Sequence, residues 1–68
     1  MMNYHEHVLS QFESAYDLHK RTGLPYGKAK RWWRQKRLVH PGWWQTVLKA
    51  ANLDSPIAFI NLAMEYNR

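Results

Sequence analysis

Apolar positions recur along the chain at helical spacing, and no stretch alternates as a strand would require. Tyr4, Val8, Leu9 and Phe12 make one stripe and predict a first helix over 3–12. Ser14 suits an N-cap, and Asp17 follows at the third position, where a carboxylate favours a helix N-terminus. A second helix is therefore expected over 14–22, with Ala15 and Leu18 facing inward. Gly23 can take the left-handed conformation that closes it. Pro25 is tolerated in a first turn and opens a third helix ending near Gln35 or Lys36, with Ala29, Trp32 and Trp33 on one face. Gly27 inside that helix is a mild cost, about 1 kcal/mol against Ala. Residues 36–40 form a linker. Pro41 opens a fourth helix on which Trp43, Trp44, Val47, Leu48 and Ala51 share a face. After a turn at 52–55, with Asp54 or Ser55 as N-cap, Pro56 starts a fifth helix over 56–66. The expected fold is all-α, a compact bundle of about five short helices in one domain, residues 1–68.

The fifth helix is apolar over an unusually wide arc. Ile57, Ile60 and Met64 lie on one side, and Phe59, Leu62, Ala63 and Tyr66 on the adjoining one. Such a helix needs more than one partner surface. If Ile57, Ile60 and Met64 fill the core, Phe59, Leu62, Ala63 and Tyr66 remain as a dimerisation face.

Charge changes the picture more than composition does. Nine of the ten basic residues lie between Lys20 and Lys49 with no acid among them, so residues 20–49 alone carry +9 against a formal net charge of +5. A surface serving solubility alone mixes the two signs. A block of one sign produces a positive field, and nucleic acid is the commonest large polyanion to meet it. The densest stretch, 28–37, interleaves the charge with two tryptophans, as a helix with one basic and one buried face would.

Other chemistries find little support. The absence of cysteine excludes disulfides, Cys-ligated zinc and thiol catalysis. His5 and His7 are two apart, with no His-x3-His pair, so no metal is expected. No Ser-His-Asp pattern, Gly-rich phosphate loop or paired carboxylates on one short element points to an enzyme, and no cofactor is implied. The longest apolar runs fall short of a membrane span, and residues 1–7 lack a secretory pattern. Trp32, Trp33, Trp43 and Trp44 could form a base-stacking platform for single strands. Their spacing favours core packing for Trp32 and Trp44, with Trp33 or Trp43 partly exposed beside a DNA backbone.

The second helix, a Gly-containing turn and the third helix, about 14–36, are the ingredients of a helix-turn-helix. Leu18, Leu24, Ala29 and Trp32 fall on its inward positions. A major groove admits one helix, and Lys28, Lys30, Arg31 and Arg34 are the first choices for DNA contact, with Tyr26 and Gln35 beside them. Gly27 would let a DNA backbone come close. Thr22, Lys20, Arg21, Lys36 and Arg37 are expected on phosphates.

The stretches 15–18, 22–26 and Lys30-Arg31-Trp32, followed by the motif 39–44 in which a proline and a large aromatic begin the next helix, resemble the small phage Cro-like and YdaS-like repressors over roughly residues 5–53. His19 departs from the family pattern, where a small residue is usual. The resemblance implies a dimeric repressor of its own or a neighbouring promoter; two-fold pairing through the fifth helix calls for a palindromic operator, and the lack of a secretory or membrane-spanning pattern leads to the expectation of a cytoplasmic, DNA-associated protein of a bacterial host. Small regulators of anti-CRISPR operons share this domain type. The rival readings are a protein-interaction module, such as an antitoxin or a small phage inhibitor of a host protein, and an RNA-binding domain.

Overall fold

The computed structural model describes residues 3–67. Met1, Met2 and Arg68 lie outside the described residues, and with them the start of the segment read for a secretory leader and the tenth basic residue. The chain runs through α1 (Tyr4–Leu9), α2 (Ala15–Thr22), α3 (Tyr26–Gln35), a 3-10 turn (Pro41–Trp43) that continues into α4 (Trp44–Ala50), and α5 (Pro56–Tyr66). Among the described residues there is no strand, and the fold is the expected all-α bundle.

Local chemistry sets these boundaries. Asn3, Ser14 and Ser55 accept hydrogen bonds from the main-chain N–H groups of Glu6, Asp17 and Ala58, capping α1, α2 and α5. Such caps stabilise a helix by about 1 kcal/mol each. Gly23 ends α2 at φ 79°, its N–H on the His19 carbonyl. Lys36 ends α3 in the same left-handed region, at φ 57°. α1 is shorter than its apolar stripe. It stops at Leu9, and the N–H groups of Gln11 and Phe12 turn back onto the Val8 and Leu9 carbonyls. Phe12 is nonetheless buried, because the turn swings its ring inward.

One core joins all five helices. Trp32 and Trp44 are its largest members, surrounded by Leu18, Leu24, Leu38, Val47, Leu48 and Leu62. Trp33 and Trp43 pack partly buried at its edge. The indole N–H of Trp44 donates to the Leu38 carbonyl at 3.1 Å, so the linker after α3 is fixed by a core residue.

His5 ties three segments together inside this core. It is 2% exposed. Its Nδ1 accepts the Leu38 N–H at 3.0 Å, and its Nε2 lies 2.9 Å from the Leu62 carbonyl. A main-chain N–H can only donate and a carbonyl can only accept, so the ring is neutral with its proton on Nε2. Trp44 meets the ring edge-on and Tyr66 stacks against it. Both nitrogens are used, which leaves no lone pair for a metal.

α5 corrects one expectation. Leu62 is wholly buried and Ala58 nearly so, while Ala63 and Tyr66 pack half-buried against the core. Ile57, Ile60 and Met64 are instead 71%, 55% and 65% exposed. The inward stripe runs Ala58, Leu62, Tyr66, one residue per turn, which lets the Leu62 carbonyl meet His5 and the Tyr66 ring pack against both His5 and Trp44. Of the face expected to be free, only Phe59 stays 43% exposed, and its ring still touches Trp44 edge-on.

Candidate nucleic-acid interface

α2 and α3 pack against each other across the three residues 23–25. Leu18, Leu24, Ala29 and Trp32 meet at this joint and are all buried. That burial fixes which way the rest of α3 points. Tyr26, Gly27, Lys28, Lys30, Arg31, Arg34 and Gln35 are exposed together on its outer side. α3 has no acid in its first turn and no side-chain cap, so no carboxylate offsets the positive end of its dipole. A Cβ placed on Gly27 would meet nothing within 4 Å, so the surface there is open. A shallow groove of about 530 Å³ runs beside it, lined by Ala15, Tyr26, Gly27, Lys30, Arg31, Trp33 and Arg34. Lys36 holds its ammonium 5.6 Å from the Trp33 ring centroid at the far end of the helix.

Three of the residues assigned to phosphates are occupied within the fold. Thr22 is buried; its hydroxyl donates to the Leu18 carbonyl at 2.6 Å and accepts the Leu24 N–H at 3.1 Å. It serves the end of α2 and presents nothing outward. Arg21 lies over the Phe12 ring at 4.7 Å, pairs with Asp17 at 3.4 Å and donates to the carbonyls of Gln11 and Ala50. Arg37 lies over the Tyr66 ring at 4.6 Å and donates to the Tyr66 carbonyl at 2.8 Å. Ala50 and Tyr66 are the last residues of α4 and α5, where free carbonyls and the negative dipole end attract a guanidinium. Of the nine clustered cations, these two arginines are therefore engaged as helix caps.

The joint also carries an aromatic group that sequence pattern alone did not single out. Tyr16 and Tyr26 are 57% and 45% exposed and meet edge to face, ring centroids 6.0 Å apart. His19 sits beside both rings at 5.9 and 5.5 Å. Its Nδ1–H donates to the Leu24 carbonyl at 2.7 Å, which fixes the ring at the edge of the joint. Lys20 and Lys30 lie over the faces of Tyr16 and Tyr26. The signal was present in the spacing: Tyr16, His19 and Lys20 share one helical face at i, i+3 and i+4, turned away from Leu18.

Among the described residues no three His, Asp or Glu come together to hold a metal, and no helix is long and apolar enough to cross a membrane. The sequence matches no protein-family model, and neither a curated protein nor a solved structure is significantly similar to it.

Proposed function

We propose that the protein is a sequence-specific, double-stranded DNA-binding transcriptional regulator, a dimeric Cro-like repressor of a phage or mobile-element promoter in a bacterial cytoplasm. The observation that carries this reading is the outer face of α3. Lys28, Lys30, Arg31 and Arg34 stand on it with no acid among them, on a helix whose opposite side is fixed by Ala29 and Trp32 in the core. A rigid helix with this face fits a major groove, where an arginine can pair with guanine O6 and N7. Phosphates then meet Lys20 and Lys36 at the two ends.

The homodimer in this reading uses the face that α5 leaves open. Ile57, Phe59, Ile60 and Met64 are 71%, 43%, 55% and 65% exposed, a concentration of open apolar residues on one helix of the kind that marks an interface. Paired two-fold, such faces cover each other's apolar side chains. α5 carries no charged side chain before Glu65, so a second positively charged copy meets no like charge there. Two-fold pairing that sets the recognition helices about 34 Å apart calls for a palindromic site.

The same apolar stripe favours the rival reading of an interaction module. A mobility shift on duplexes selected from a random library, with random DNA and RNA as competitors, separates the readings. Retention of one selected duplex over both competitors supports the repressor. Equal or weaker binding to DNA than to RNA, or no binding, removes it.

A further inference from the structure

We propose that Tyr16 and Lys20, on α2, grip one phosphodiester of the DNA backbone, and that Tyr16 with His19 positions Tyr26 for its contact at the start of α3. The inference rests on the DNA-binding reading and extends its surface from one helix to two.

Two large rings held in the open need a reason. Tyr16 and Tyr26 are among the most exposed large side chains of the chain, yet they are ordered by each other and by His19, whose Nδ1–H is anchored on the Leu24 carbonyl. Tyr16 and Lys20 are i and i+4 on α2 and so neighbours on its surface, with Lys20 Nζ over the Tyr16 ring, 5.9 Å from its centroid. A neutral O–H donor next to a cation, with no acid between them, suits a phosphate oxygen, to which side chains of both kinds commonly bond in protein–DNA interfaces. Asp17, the acid of α2, is held elsewhere, by Arg21 and by the Glu13 N–H at 3.0 Å. Tyr26 is the first residue of α3, and Lys30 stands over its ring at 5.5 Å. The cations of α3 thereby continue through the aromatic group onto α2 as one surface. The Tyr16 ring and the imidazole both border Tyr26, at 6.0 and 5.5 Å between centroids, and so restrict its rotamers.

The test compares the parent protein with Tyr16→Phe, Tyr16→Ala and Lys20→Gln by fluorescence anisotropy, on a library-selected duplex and a random duplex, across a salt series. Tyr16→Phe keeps the ring and loses the hydroxyl; it should weaken both duplexes by about five- to tenfold with the salt slope unchanged. Lys20→Gln should lower the slope by about 0.9. Tyr16→Ala also removes the brace on Tyr26, so the ratio of selected to random affinity should fall further than with Tyr16→Phe. Tyr16 is exposed, and melting curves that match the parent exclude misfolding. If the parent binds the selected duplex and all Tyr16 variants bind like the parent, this inference fails and the DNA reading stands. If the parent binds neither duplex, the DNA reading itself fails and takes the inference with it.

Discussion

Replacing His5 by alanine should remove a large part of the stability of this domain. Among the described residues the imidazole is the only partner of the Leu38 N–H, and it bridges that group to the Leu62 carbonyl, 24 residues away in sequence. Deleting it leaves a buried donor and a buried acceptor without their side-chain partner, at about 1–3 kcal/mol for an unsatisfied group, and opens a gap against Trp44 and Tyr66. The sum is about 3–5 kcal/mol. A chain of 68 residues has on the order of 3–10 kcal/mol in total. Urea unfolding followed by tryptophan fluorescence reads the change: with a slope near 1 kcal/mol/M, the midpoint should fall by about 3 M or more. Acidity offers an independent measure. Burial holds the His5 imidazole below its ordinary value of 6.5; Arg37 adds to this, while the Leu62 hydrogen bond and Glu65 oppose it. With the folded value depressed, the unfolded chain takes up a proton first as pH falls below about 6.5. Stability is therefore complete above that pH and is lost below it, at up to about 1.4 kcal/mol per pH unit, until the folded ring titrates as well. The parent should lose stability more steeply than His5→Ala between pH 6.5 and 5.5; subtracting the two removes what the other groups contribute. A midpoint drop of less than about 1 M, or identical acid slopes, refutes the clamp.

Three further outcomes are expected. Arg31→Ala should weaken binding to the selected duplex by about 1–3 kcal/mol while the circular dichroism stays that of the parent; unchanged affinity takes α3 out of the groove. Ile57→Ser with Ile60→Ser should give a folded monomer by sedimentation, whereas Leu62→Ser should unfold the chain, since Leu62 is wholly buried; a parent that is already monomeric at tens of micromolar, free and on DNA, ends the α5 dimer. Arg37→Ala should lower the melting temperature by about 4–8 °C for each kcal/mol lost at the α5 terminus, and Lys36→Ala should instead lower the salt slope by roughly one unit; the same slope change in both variants would return Arg37 to the phosphates.

The helices and their order were legible because each boundary rests on a local rule. Ser14, Gly23, Ser55 and Pro56 each act where their own chemistry puts them. The inward set Leu18, Leu24, Ala29 and Trp32 followed from spacing alone. α5 was not legible in that way: its sequence is apolar on two sides, and the choice between them is made by His5, 57 residues from Leu62. Period cannot see such a contact. The fates of Arg21 and Arg37 were hidden for a similar reason. A sequence counts both as free cations, yet each finds a carbonyl 29 residues away, at the end of a helix whose position only the fold decides. Thr22 misled by type, because a hydroxyl beside a turn serves the turn's own backbone as readily as a phosphate.

Lys36 sets backbone strain against charge at a single position. Its φ of 57° is a conformation in which glycine is free of Cβ strain and lysine is not, a penalty of about 1 kcal/mol. The rules that guide thermostabilisation would therefore put glycine there and call it an improvement. That change would also strip the ammonium from the end of α3, where the basic face finishes beside Trp33. If the proposed DNA-binding role holds, the lysine gives up stability for charge, and attempts to harden this small scaffold should test Lys36→Gly for DNA affinity as well as for melting temperature.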